Sequence, residues 1–338
     1  MIQLERKHYV SVIMAAYNAE KFIEDAVNSI LSQTYDFFEL IIVDDASTDA
    51  TGVILKSFSD SRVRVFTNEN NMRLAYSLNY AISKSRGEFI ARMDADDIAE
   101  PNRLEQQLIY LLNNEDIDLV GANALSFGDV ISKMNYPANH DSITCHLLFE
   151  NAFCHPAVMF RKKDIFKYDQ FCTAAQDYKL WASIIFKIRT ANIQKVLLNY
   201  RIHGKQTKHI LGTKQKEGEL DAKRIMLNYL DSDENIDRNK YFVFTNHNQV
   251  LNAQQLLEYD DMLKQIILIN DAKHVFSKDA LEKTCVKQFM ECLYISLKAK
   301  KISAKEYLQI AGIRRLFCGK FTRIIKIIFL LIRSCIWG

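Results

Sequence analysis

The stretch Gly87–Asp97, GEFIARMDADD, constrains the possible folds of this chain more than any other. Glu88–Met93 reads as a short strand, with Phe89, Ile90, Ala91 and Met93 compatible with burial on both faces. Asp94, Asp96 and Asp97 arrive together where the apolar run stops. A strand ending in carboxylates places their charge at the carboxyl edge of a sheet, where open α/β sheets bind ligands. Like charges this close repel, so the cluster calls for a cation. Hard oxygen ligands favour magnesium or manganese, metals that commonly also hold substrate phosphates. The competing reading is a solvated acidic turn ahead of a helix that starts near Pro101. A second acidic strand end upstream argues against it.

That upstream element is Phe38–Val43, a strand running into Asp44-Asp45-Ala46-Ser47-Thr48-Asp49. Around it the chain alternates. Tyr9–Ala16 reads as a buried strand and Glu20–Ser32 as a helix with apolar residues at helical spacing. Ala50–Phe58 is a helix that Ser47 or Thr48 can cap, Arg62–Thr67 a strand, and Leu74–Ser85 a helix. A helix from Pro101 to about Asn113 and a strand at Ile117–Ala124 follow the aspartate cluster. Strand–helix alternation of this kind predicts a doubly wound, mainly parallel α/β sheet. Further on, Asp141–Phe149 and Gln176–Ile188 read as helices, and His155–Arg161 and Ala191–Ile202 as strands. Beyond Gly204 the periods become helical, at Glu219–Leu230, Ala253–Ile269, Ala280–Lys298 and Ala304–Ile332. We therefore expect a first domain over residues 1–210 and a helical C-terminal region over 211–338.

Composition narrows the function classes. Of 338 residues, 49% are hydrophobic and 25% charged, which is a globular balance with ample core. A net charge of +3 gives no footprint for nucleic acid. The seven cysteines have no paired spacing and read as reduced thiols, and Cys145, Cys154 and His155 lack the C-x-x-C pairing of a zinc site. The opening MIQLERKHYV has no apolar run of the kind a secretory signal requires.

Eight elements then occur in a fixed order: SVIMAAYN, IIVDDASTD, NENNMRLAYSLN, GEFIARMDADD, PNRLEQQ, NAFCHPAVMF, QDYKLW and YRIHGKQT. In these the chain resembles, over residues about 9–210, a family 2 glycosyltransferase with the GT-A fold, in the branch that builds bacterial surface polysaccharides. The resemblance does not extend over the last hundred or so residues. It implies an inverting, metal-dependent transfer of sugar from a nucleotide sugar, with UDP the expected carrier, and Mn2+ or Mg2+ as cofactor. Asp94 and Asp96 are the candidates for the metal and the ribose or phosphate region, with Asp96 the direct ligand. His203 matches the family's R-x-H element and is expected to complete the metal shell, against the reading of a surface loop histidine. Asp45 can accept hydrogen bonds from the base or ribose edge, while Asp44 braces the turn. Ala15, Tyr17 and Asn18 line the first strand end, although the family usually has proline at Ala15. Arg92 looks like the nucleotide-side arginine. Arg73 stands where glycine is usual.

Asp177 is the candidate base. Transfer with inversion needs a carboxylate opposite the leaving diphosphate, and a helix N-terminus would keep that carboxylate ionised. The competing reading makes it a helix cap. The family often has Glu-Asp where this chain has Gln176-Asp177, so Asp177 acts alone. Trp181 projects four residues on and could stack on an acceptor sugar, and His155 could contact the acceptor; each is equally readable as a structural residue.

From Lys298 to Gly338 there are ten Lys or Arg and one Glu. Gly312–Trp337 combines a wide apolar face with a basic stripe at helical spacing, but its uncharged run, Ile327–Ile332, is too short to span a bilayer. This predicts a helix lying on an anionic membrane surface, on the inner face of the bacterial cytoplasmic membrane and close to a lipid-linked saccharide acceptor. Packing of that helix on the preceding bundle is the alternative. Two further functions compete with catalysis by sugar transfer. One is a degenerate nucleotide-sugar-binding scaffold, kept open by Gln176 and Arg73. The other is a nucleotidyltransferase, which would want a glycine-rich phosphate loop that YVSVIMAAYN lacks.

Overall fold

A computed structural model of the chain describes residues 8–204, 207–246 and 249–315. They divide into two compact units, one running to Ser232 and taking in Val275–Leu281, the other comprising Asp233–His274 and the described residues from Glu282 onward. The proposed membrane segment falls almost wholly on residues 316–338, outside the described ones.

The first unit is built on one nine-stranded sheet. Its first half is β1 (Val10–Ala16), β2 (Phe38–Asp44), β3 (Val63–Thr67) and β4 (Phe89–Asp94), ordered β3-β2-β1-β4 and all parallel. β1, β2 and most of β4 are buried, as uninterrupted apolar runs require when helices cover both faces. Helices α1 (Ile23–Leu31), α2 (Thr51–Ser57) and α3 (Arg73–Lys84) make the crossovers, α1 burying Ile23, Ala26, Val27 and Ile30. Register then decides where the acids land. Ala15 of β1 pairs with Val43 on one side and Asp94 on the other, so the first and second acidic strand ends finish level.

The second half of the sheet is mixed. It comprises β5 (Ile98–Ala99), α4 (Arg103–Asn113), β6 (Leu119–Gly128), β7 (Ser132–Met134), α5 (His140–His146), β8 (Met159–Arg161), α6 (Gln176–Ile184) and β9 (Thr190–Ile202). β8 runs antiparallel between β4 and β6, β9 pairs parallel with β6, and β5 pairs antiparallel with the far edge of β9. The expected strand His155–Arg161 is thus only half strand. His155–Ala157 is a 3-10 turn, because Pro156 has no N–H to give a ladder and its fixed φ suits a helix's first turn. The β5 pairing lies beyond any local pattern, since two residues carry no periodicity. Neither Ser47 nor Thr48 caps α2. Asp49 Oδ1 accepts from the N–H and the hydroxyl of Thr51 instead, and Ser47 and Thr48 bond across to Asn18. Helix α7 (Thr207–Leu230), bent at Gly212, packs on α6 within this unit.

Gly87 sets the entry to β4. A Cβ there would lie 2.6 Å from Ser11 N and 2.7 Å from Tyr9 O, both backbone atoms of the neighbouring strand. Gly87→Ala is therefore expected to destabilise the fold by about 1–3 kcal/mol, read as a lower Tm; an unchanged Tm would show that the strand ends yield freely.

The second unit is helical: α8 (Arg238–Phe244), α9 (Ala253–Lys273), most of α10 (Lys278–Lys298) and α11 (Ala304–Arg315). A capping box of Asn252 and Gln255 starts α9. Tyr259 packs between Phe244 and Phe289 at its centre. No helix among the described residues is long and apolar enough to cross a membrane.

Candidate active site

The carboxyl edge of the parallel strands gathers the chemistry. Asp94 ends β4, and Asp96 and Asp97 occupy the turn into β5. One carboxylate oxygen from each lies within 4.8 Å of the others. Asp96 Oδ2 is also 3.0 Å from His203 Nε2, whose ring is held against Phe22 with centroids 4.8 Å apart. Asp97 is fully buried. Its Oδ1 accepts the backbone N–H of Arg201 at 2.8 Å, and its Oδ2 has no hydrogen-bond partner. Burial and the neighbouring acids push Asp97 well above the usual carboxylate range. Burial pushes Asp94 up to about 6, against the pull of Arg92. Three acids with an orphaned buried oxygen and an adjacent imidazole make a donor set of hard oxygens and one nitrogen. That set fits a divalent ion such as manganese or magnesium, whose charge would reverse the upward shifts.

Arg92 is placed differently from its expected nucleotide-side position. It is 2% exposed, and both terminal guanidinium nitrogens bond the Asp94 carboxylate. It orients an acid instead of reaching for a ligand. Arg103, buried in the first turn of α4, donates to Arg92 O at 2.6 Å and so ties that helix to β4. Burial pushes its guanidinium down to about 10.

At the second strand end the two aspartates differ as their neighbours do. Asp44 accepts the N–H of Ser47 and braces the turn. Asp45 takes Asn68 Nδ2 at 2.7 Å and the backbone N–H groups of Met72 and Arg73 at 2.9 and 2.8 Å. An ionised carboxylate offers about four acceptor positions, so roughly one remains for a ligand. Arg73 holds φ 71, a left-handed geometry that glycine adopts without strain, which is a physical reason for glycine at such a position. At the end of β1, Asn18 also has positive φ, and its side-chain oxygen accepts the N–H of Thr48 at 2.8 Å. Tyr17 is exposed beside it and Ala15 partly so. These residues lie at the end of β1 on the carboxyl edge of the sheet.

Asp177 lies in the first turn of α6, behind Ala175 at φ 52, and no side chain caps the helix. Gly218 of α7 presses against this entry: a Cβ on it would lie 2.4 Å from Ala174 O. The Asp177 carboxylate accepts Asn151 Nδ2 at 2.6 Å. Burial raises its affinity for a proton. The Tyr178 N–H, the charge of Arg92 and the Asn151 amide oppose this without cancelling it. The charge of Asp177 is also felt at Asp94.

The two acceptor candidates are corrected. Trp181 is 1% exposed and packs edge-on against Phe153 and His155, leaving no face open to a sugar. Four residues after Asp177 on a nine-residue helix, it turns into the core. His155 Nε2 shares a 2.7 Å hydrogen bond with the buried Tyr168 hydroxyl, and burial and Arg92 hold the ring neutral. It braces the loop ahead of α6. Sequence reasoning placed Asp97 only in the cation-seeking acidic cluster and named no role for Asn151, Tyr168 or Arg201. Asp97 was signalled by its place in the acidic run, and Asn151 opens the quoted NAFCHPAVMF element.

Comparison with known proteins bears on the family and the fold. The model of "Glycosyl transferase family 2" matches residues 11–174. The Escherichia coli "O-antigen biosynthesis glycosyltransferase WbnJ" is 40% identical over 210 residues, covering 59% of this chain and 81% of that protein. A second Escherichia coli protein, "UDP-Glc:alpha-D-GlcNAc-diphosphoundecaprenol beta-1,3-glucosyltransferase WfgD", is 33% identical over 180 residues, 53% of this chain and 70% of its own. Among solved structures, S. aureus TarS 1-349 in complex with UDP-GlcNAc superposes with a TM-score of 0.57 over 87% of this chain and 92% of TarS 1-349, at 16% identity, a likeness of fold.

Proposed function

This chain belongs to glycosyl transferase family 2 and is a glycosyltransferase; from that premise we propose that it moves one sugar, with inversion and dependence on a divalent ion, from a UDP-sugar to a growing surface glycan carried on a lipid diphosphate. The observation that carries this reading is a cation-fitting acid set at the carboxyl edge of the sheet together with a separate buried carboxylate, Asp177 of α6, whose charge is felt at Asp94.

Each residue has a part. Asp94, Asp96 and His203 would hold the ion, with the orphaned Asp97 oxygen beside them. When bound, the ion neutralises the diphosphate and makes it a better leaving group. Arg92 fixes the Asp94 carboxylate. Asp45 offers its remaining acceptor position to the ribose or base edge, and Ala15, Tyr17 and Asn18 line the base side. Asp177 accepts the proton of the acceptor hydroxyl as its oxygen attacks the anomeric carbon. The bond to the diphosphate breaks on the opposite face, which inverts the centre.

The donor and acceptor classes are supported by the relatives' names, which specify UDP-Glc and a diphosphoundecaprenol-linked GlcNAc for WfgD and an O-antigen for WbnJ. The basic, apolar stretch Gly312–Trp337 suits an anionic membrane surface at which such an acceptor resides, on the inner face of the cytoplasmic membrane. The test is a donor screen. Full-length protein is given a panel of nucleotide sugars, manganese or magnesium, and prenyl-diphosphate saccharides, and released nucleoside diphosphate is measured. Release confined to UDP donors, and dependent on acceptor, is expected. No release with any donor would leave the scaffold reading in its place.

A further inference from the structure

Asp177 is held from two sides: by the backbone N–H groups of its own helix at Asp177 and Tyr178, and by a side chain from a distant segment. A carboxylate at a helix N-terminus can turn its two oxygens toward the first-turn N–H groups and become a cap. Here Asn151, from the segment after α5, holds one of those oxygens. Asn151 Nδ2 lies 2.6 Å from Asp177 Oδ2, across 26 residues of chain. The orientation of the amide is itself set, because its Oδ1 accepts the backbone N–H of Phe153 at 3.3 Å. With the oxygen end engaged there, the amide presents its donor end to Asp177. Asn151 is itself partly exposed.

We infer that Asn151 is a positioning residue for sugar transfer: from outside the helix it anchors one oxygen of Asp177 and so sets the direction in which the carboxylate meets the acceptor hydroxyl. This rests on the proposed role of Asp177 as base and deepens it. The groups facing Asp177 are Arg92 and Asp94 of β4, Tyr136 ahead of α5, and Tyr168 in the loop ahead of α6. Of these side chains only Arg92 favours the charged carboxylate, and it is already bonded to Asp94, while the backbone N–H of Tyr178 favours the same form from within the helix. Asn151 is therefore the side-chain donor in direct contact. A neutral amide donates to a carboxylate without competing for the proton, which a protonated neighbour would do.

The test is the pH profile of acceptor-dependent transfer in full-length wild type and in Asn151→Ala and Asn151→Ser. The base works ionised, so activity falls on the acid side as Asp177 takes up a proton. Removing a donor to the charged form raises its proton affinity. The acid limb of kcat/KM should therefore move upward by about one pH unit in Asn151→Ala, and by less in Asn151→Ser, which retains a small donor. At the optimum, kcat should fall about tenfold or more while donor KM stays within about twofold, since aim and not donor binding is lost. An unmoved acid limb with kcat near wild type in both variants would overturn the inference. Loss of folding in Asn151→Ala, seen by circular dichroism, leaves Asn151→Ser to decide by the same limb. Asp177→Asn separates the two levels. If it abolishes transfer while the Asn151 limbs stay put, the base reading stands and the positioning role falls. If it transfers normally, the base reading itself falls.

Discussion

Asp177→Asn is expected to cut sugar transfer by roughly a hundred- to ten-thousand-fold, the usual worth of a positioned general base. Donor binding should stay within about twofold. The asparagine keeps the shape and can still meet Asn151 if its amide turns its oxygen to Asn151 Nδ2, so the local fold at α6 survives. What disappears is the only feature that distinguishes a base from a cap, the lone pair that binds a proton. The two measurements are single-turnover transfer and titration of UDP in the presence of manganese. A rate near that of wild type would sink the assignment and reduce Asp177 to a helix-start residue. A parallel loss of UDP binding would point to collapse of the pocket, which circular dichroism and Tm would register.

Asp96→Ala is expected to weaken metal-dependent UDP binding by at least roughly a hundredfold and to abolish turnover, because it removes both a carboxylate and the partner of His203. Chelation of wild type should do the same, reversibly on adding manganese. Stability moves the other way. In the metal-free protein three acids crowd one turn, and two of them are pushed up in pKa by burial and by one another. Removing the charge of Asp96 relieves that repulsion, so the Tm of the metal-free variant should equal or exceed that of metal-free wild type. The gain in Tm that manganese gives wild type should vanish in the variant. Full turnover in excess chelator would remove the ion from the mechanism. A lower Tm in the metal-free variant would instead make Asp96 a structural residue.

The sequence by itself determined the frame of the protein. The apolar runs of β1, β2 and β4, the helices between them and the aspartates at their ends are local patterns, and local patterns survive in a one-dimensional text. Parallel crossovers then bring acidic ends to one edge, because strands that enter in the same direction also leave together. Only the tertiary structure decided what each polar group does there. Whether Arg92 reaches a ligand or holds Asp94, whether Trp181 faces a sugar or Phe153, and whether Asp177 is bare or held by Asn151 depend on which distant segment covers the residue. The Asp96–His203 contact spans 107 residues and the Asn151–Asp177 bond 26, separations at which nothing in the spacing of residues records a distance. Proton affinities follow the same division. Each aspartate enters the chain with the same intrinsic acidity. Burial and neighbouring charge, which exist only once the chain is folded, raise Asp94 and Asp97 above it.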